Sequence, residues 1–283
     1  VSATPVLDSA NNLPLPLDSY LFNPEQMFTV EKAQARLGAR CMARFGFSYP
    51  HSAPLQPRRG SDAPTTRRDG RYGPQNATVM AKWGYHLEGG DVGTSSAPPR
   101  PQLSQQMTAA LRGSSDMTQK FGPGGQVING RTVPNHGCVG ETVKELTGAV
   151  DGRVGDAQLA EDLKFGTLLN SQHDVRTRTV FAQWSQCMKG SGFSYPDPVA
   201  AMGDKKWSDT PMPTPHEIQV ATADAKCRHK ANLVGVWYIV DFAYQKQAIA
   251  ENAAAMAQIK TALQAQVKAA TAALNGDPLR QER

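Results

Sequence analysis

The ten residues from Cys41, CMARFGFSYP, return from Cys187 as CMKGSGFSYP, with seven of the ten positions identical. A phrase written twice constrains the fold strongly: whatever local structure it encodes must occur twice, each time carrying a cysteine. In both copies a helix-compatible stretch runs into Gly, the residue that most readily adopts the left-handed conformation ending a helix. Phe, Ser, Tyr and Pro follow, and Pro prevents the chain from continuing as helix. The phrase therefore reads as a helix stop, with a cysteine in the last turn.

The other two cysteines, Cys138 and Cys227, each follow one copy of the phrase. Four cysteines allow three pairings, and sequence alone selects none. Equivalent places for Cys41 and Cys187 favour Cys41–Cys138 and Cys187–Cys227, one pair per copy. Each copy then becomes a helical hairpin stapled by a disulfide, with the Phe and Tyr of the turn covering its open end. A duplicated ligand-binding turn, with those aromatics as its platform, is the functional alternative. Two structural disulfides imply an oxidising compartment outside the cytoplasm.

Residues 1–22 alternate Leu and Pro without a helical period and read as an extended arm. Asn23-Pro24-Glu25-Gln26 is a helix start, with a capping Asn, Pro in the first turn and Gln closing the box. From Met27 to Phe45 apolar residues recur every three or four positions, placing Cys41 on the buried face. Residues 23–150 thus form a first helical unit, interrupted by a Pro-, Arg- and Gly-rich insertion. Short helices are expected within Arg71–His86, Leu103–Leu111 and from Cys138. Residues 155–249 form the second unit, opening with one helix from about Gly155 to Lys189. Thr214-Pro-His-Glu217 starts another helix with a capping box, and nothing from Glu217 forces a break before Asn275-Gly276. Gly235 is its one interior weakness, costing about 1 kcal/mol relative to Ala. Residues 250–283 extend this helix and end in a short tail. The fold class expected is mainly α: two disulfide-stapled helical hairpins with long loops and a very long C-terminal helix.

Within that extension Met256, Ile259, Leu263, Val267 and Leu274 make a thin apolar stripe at three- and four-residue spacing, the pattern of a coiled-coil seam. It serves a helix packed on its own chain, or a partner: a second copy or another envelope protein.

The runs WSQCMKGSGFSYPDP and ADAKCRHKANLVGVWYIVDFAYQKQAIAEN, with RYG…WGYH and NGRTVPNHGCVGE, resemble a family of secreted proteins and lipoproteins of actinobacteria (Streptomyces-like) with paired-cysteine repeats. The resemblance spans most of the chain past Met27. It implies a secreted location or attachment to the outer face of the cell membrane, and no particular activity. No apolar run is long enough to span a bilayer. Val1-Ser-Ala-Thr lacks the basic stretch and apolar core of a signal peptide, which fits a mature product whose targeting segment was removed and a trimmed chain alike, and so says little about compartment.

Catalytic signatures fail when tested. His216-Glu217 begins like a zinc-protease helix, but Val220 stands where the second His belongs. There is no G-x-S-x-G and no S-x-x-K, and FGPGGQ lacks the Gly-Lys-Ser/Thr of a phosphate loop. His136-Gly-Cys138 and Cys227-Arg-His229 would make a zinc site if they met, but the repeat assigns their cysteines to different hairpins. No catalytic residue, metal or cofactor is therefore assigned.

The net charge is +5 with a pI near 9.0, a balance that suits anionic surfaces. Arg58, Arg59, Arg67, Arg68 and Arg71 crowd one loop and are candidates for contact with an anionic cell-wall polymer or lipid headgroups, against the plain reading of a solvated loop. Nucleic acid is not expected. The leading functional expectation is a non-enzymatic extracytoplasmic binding or assembly protein acting through helix–helix and aromatic or basic surfaces. The rivals are an envelope hydrolase, whose cleft would gather Glu141, Glu145, Asp224 or His229, and a small-ligand or antibiotic-sequestering carrier with an apolar pocket.

Overall fold

The computed structural model describes residues 4–49, 70–89 and 103–276. Ten α-helices are described: α1 Pro24–Arg44, α2 Ala77–Trp83, α3 Gln105–Arg112, α4 Gly137–Thr147, α5 Gln158–His173, α6 Val175–Gly190, α7 Pro198–Met202, α8 Pro215–Lys230, α9 Leu233–Glu251 and α10 Ala253–Asn275. The fold is mainly α, and the disulfides are Cys41–Cys138 and Cys187–Cys227, each with Cα atoms 5.6 Å apart.

The chain forms two compact units, each discontinuous in sequence. The first takes residues 4–17, 70–89 and 159–252; the second takes 18–49, 103–158 and 253–276. This differs from a division into 23–150, 155–249 and a C-terminal extension. Residues 70–89 belong with the second disulfide rather than the first, and α10 belongs with the first disulfide.

The repeat encodes the same helix stop in both units. Gly46 and Gly192 hold φ of +79° and +89°, which a side chain would make costly. The Phe47 and Phe193 amides donate back to the carbonyls of Met42 and Met188, at 3.1 and 2.9 Å. Phe47 and Tyr49 pack on one core, Phe193 and Tyr195 on the other. They are half-buried packing residues rather than an open platform.

In the second unit, Asn23 caps α1 with the full capping box. Val30, Ala33, Leu37, Cys41 and Met42 make its buried face, and α1 packs against α3, α4 and α10. The glycine-rich stretch before α4 holds a two-stranded hairpin, Val127–Ile128 paired antiparallel with Arg131–Thr132. Its turn, Asn129-Gly130, has positive φ at both residues, the backbone that fits right-handed strand twist.

The stripe on α10 is spent within this unit. Met256 and Leu263 are buried and Ile259, Val267 and Leu274 half-buried, because α10 lies on α1 and α4. As a seam for a partner helix the stripe is corrected to an internal packing face.

In the first unit α6, α8 and α9 enclose Trp184, Trp237, Val220, Leu233 and Met188, with α2 on α8. The N-terminal arm is part of this core, to which it contributes Ala10 and Leu15. Both expected long helices are broken here. Asp174 divides Gln158–Gly190 by capping α6, its side chain accepting from the Arg176 amide. Asn232, at φ +49°, divides α8 from α9. Its side chain accepts from the Leu7 amide and donates to the Pro5 carbonyl, at 3.1 and 3.0 Å, so the arm holds the break. Gly235 lies where the Pro5 carbonyl comes so close that a β-carbon would collide with it; this is the reason for a glycine inside α9. Asn252 then separates α9 from α10, its amide donating to the Ile249 carbonyl and its side chain to Ala248. The C-terminal helix is long at 23 residues, but it is one of three where the sequence reads as one.

Candidate functional site

Between α2 and α8 of the first unit lies a slot of about 410 Å³, within the range of small-ligand sites. Thr222, Ala225, Lys226 and His229 line it from one face of α8, joined there by Arg228, while Pro74, Gln75, Ala77 and Met80 line it from the α2 side. Two local features set this wall. Asn76 caps α2, accepting from the Thr78 and Val79 amides, and α8 is fixed near its end by the Cys187–Cys227 disulfide. The arm supplies the edge: Asp8 meets His229 Nδ1 at 2.6 Å. The lining is mainly apolar, with Lys226 exposed at the rim. Its charged side chains are two basic residues, one His and one Asp, a net positive set.

Beneath the slot is a polar network with almost no solvent contact. Asp224 is fully buried; its Oδ1 accepts from Trp184 Nε1 at 2.7 Å and Arg228 Nε at 2.8 Å, and its Oδ2 from the Tyr85 hydroxyl at 3.0 Å. Arg228 Nη1 donates to the Tyr72 carbonyl at 2.7 Å, and its Nη2 has no hydrogen-bond partner. The network continues through Tyr72, whose hydroxyl donates to Asp241 at 2.6 Å. Arg71 donates to the same carboxylate through Nε and Nη2, at 2.6 and 2.9 Å, and reaches Thr167 Oγ1 at 3.2 Å. Gln245 bridges Asp241 to the arm, donating to the carboxylate at 3.2 Å and accepting from the Leu17 amide at 3.1 Å. Burial and then the adjacent carboxylates push the Tyr72 and Tyr85 hydroxyls well above the ordinary tyrosine range. Neither phenol supplies a base at neutral pH.

A second buried pair sits nearby. Glu217 Oε1 meets His86 Nδ1 at 2.8 Å and accepts from the Tyr85 amide at 2.7 Å, while His86 Nε2 faces the Thr210 carbonyl at 2.8 Å. A carbonyl only accepts, so Nε2 carries a proton. The capping box expected at Thr214 is thus half made: Thr214 accepts from the Glu217 amide, but the Glu217 side chain turns inward to His86.

These positions revise the sequence reading of the chemistry. Arg71 is corrected from a surface cation to a buried one, its side chain 3% exposed against Asp241. Burial opposes its charge and Asp241 more than compensates, so its pKa is raised. Arg58, Arg59, Arg67 and Arg68 lie outside the described residues. The four groups proposed for a hydrolytic cleft are divided between the two units. Glu141 and Glu145 pair with Arg44 and Arg40 in the second unit, whereas Asp224 is buried in the first and His229 is exposed beside Asp8. All four cysteines are in disulfides, which removes the Cys–His zinc site. Among the described residues no group of three or more His, Cys, Asp or Glu is placed to hold a metal ion. Sequence reasoning missed the slot because its walls, residues 74–80 and 222–229, lie far apart in the chain.

No protein-family model, no curated protein and no solved structure matches the chain.

Proposed function

We propose that the chain is a non-enzymatic extracytoplasmic binding protein, with the α2–α8 slot as its ligand site. The observation that carries this reading is the contrast between the slot and the layer beneath it. The slot is apolar with a cationic rim, whereas the carboxylates below are sealed against Arg, Trp, Tyr and His. Such a slot suits an amphiphile with an apolar body and one negative group, the body against Met80, Ala77 and Ala225 and the anion toward Lys226. The disulfides support an oxidising compartment, and the helices supply the packed, rigid walls on which a preformed site depends.

Isothermal titration with octanoate tests this. Binding of one octanoate per chain is expected. Lys226→Glu should weaken it about tenfold, the effect of reversing one partially screened charge contact, and Ala225→Trp should abolish it by filling the slot. Absence of binding by the wild-type protein, or equal binding by both variants, would overturn the assignment.

A further inference from the structure

The second copy of the repeated phrase runs on as Tyr195-Pro-Asp-Pro198. This extension builds one wall of a cavity of about 800 Å³ in the first unit, within the range of small-ligand sites. Asp197 caps α7, accepting from the Ala200 amide at 2.8 Å, with Pro198 in the first turn. Three hydrogen bonds fix the wall. Ser185 donates to the Tyr195 carbonyl at 2.6 Å, the Tyr195 hydroxyl to Asp204 at 3.0 Å, and Trp207 Nε1 to the Ala201 carbonyl at 2.7 Å. Helix α6 lines the cavity with Arg178 and Phe181, and α5 ends at it with His173. Phe181, Pro196 and Val199 make much of the lining apolar, and Val199 is left 39% exposed there. Arg178 and Asp197 thus line one space from different helices, yet among the described residues neither forms an ion pair. Two opposite charges that share a cavity without meeting are each open to a charge brought in by a ligand.

We propose that this cavity binds a short apolar peptide with free ends, its carboxylate on Arg178 and its ammonium on Asp197. Charge and apolarity together select this class. A guanidinium fork matches a carboxylate through two parallel hydrogen bonds. Asp197 spends only Oδ1 on its cap, which leaves Oδ2 for an ammonium. A fatty acid would satisfy Arg178 and leave the Asp197 charge against its hydrocarbon chain; a simple amine would do the reverse. A peptide carries both charges, with apolar side chains between them to cover Phe181 and Val199. An extended tripeptide spans about 10 Å, comparable to the width of a cavity of 800 Å³. The site is independent of the α2–α8 slot, with which it shares no lining residue.

Isothermal titration with trileucine tests this, with circular dichroism to verify that each variant is folded. One trileucine per chain is expected to bind. Val199→Trp should abolish binding by filling the cavity, whereas Ala225→Trp, which fills the slot, should leave it unchanged. Arg178→Gln should weaken binding about tenfold, the loss of one charge-assisted contact. Asp197→Asn should do the same while keeping the cap on α7, since Asn caps as well as Asp. Trileucine amide should bind wild type about tenfold more weakly than trileucine and lose nothing further in Arg178→Gln. N-acetyl-trileucine should behave likewise with Asp197→Asn, because each block and its matching variant remove the same contact. Absence of binding by wild type, loss of binding in Ala225→Trp, or losses that multiply when a block meets its matching variant would overturn the proposal.

Discussion

Replacing Arg71 by Met should destabilise the first unit severely. Arg71 makes two hydrogen bonds to Asp241 and one to Thr167, and Asp241 is fully buried. Methionine preserves most of the side-chain length but leaves a buried carboxylate held only by Tyr72 and Gln245. Removing one partner of such a pair costs about 3–5 kcal/mol, a large fraction of the 5–15 kcal/mol typical of a domain. With a urea m-value of about 1–3 kcal/mol/M, the midpoint should fall by about 1–5 M. Substituting both partners, Arg71→Met with Asp241→Leu, should cost less than Arg71→Met alone, because no unpaired charge remains. The assay is urea denaturation followed by tryptophan fluorescence. All four tryptophans, Trp83, Trp184, Trp207 and Trp237, lie in the first unit, so the signal reports that unit while circular dichroism follows both. A cost under about 1 kcal/mol for Arg71→Met is what a solvated loop arginine gives; it would refute the buried network.

Three further outcomes follow from the turns, disulfides and charges. Gly192→Ala should cost about 1–2 kcal/mol from its left-handed backbone alone, since a β-carbon there meets nothing within 4 Å. Gly46→Ala should cost more by chemical denaturation, because its β-carbon presses on Asn129 Nδ2 at 3.1 Å, and that nitrogen donates to the Phe45 carbonyl at 2.6 Å. Removing Cys41–Cys138, which closes 97 residues, should destabilise more than removing Cys187–Cys227, which closes 40; the loop-entropy model gives about 4.7 and 3.9 kcal/mol, read as midpoint shifts of the paired Ser variants. Asp174 is held at a pKa of about 2, chiefly by its hydrogen bond from Arg176. A depressed carboxylate contributes stability present above its unfolded pKa, near 3.9, and lost as pH falls through about 2. Asp174→Asn should therefore be less stable than wild type at pH 7, with the gap narrowing between pH 4 and 2 in acid titrations of unfolding.

Local signals in the sequence were sufficient where the structure is local. Asn23 and Thr214 cap the helices they announce, and the twin phrases at Cys41 and Cys187 make twin stops and carry the disulfides. The Asn129-Gly130 dipeptide is a hairpin signal, but its flanks, apolar Val127-Ile128 and polar Arg131-Thr132, share no strand pattern that sets it apart from the glycine-rich run around it. What escaped depends on partners distant in sequence. The break at Asn232 is held by Pro5 and Leu7, and Arg71 meets its carboxylate 170 residues away. Nothing near Arg71 distinguishes it from the arginines before it. The α10 stripe carried the right periodicity, but periodicity says that a face is covered and not by what; α1 and α4 cover it.

The central claim is that the slot binds and does not catalyse, and p-nitrophenyl octanoate tests it most directly by offering a cleavable ester of the size the slot admits. The account predicts that the ester competes with octanoate for the wild-type protein, while nitrophenolate release stays at the buffer rate and is the same for wild type and Ala225→Trp. Saturable release above that rate, lost in Ala225→Trp, would contradict it and make the slot an active site.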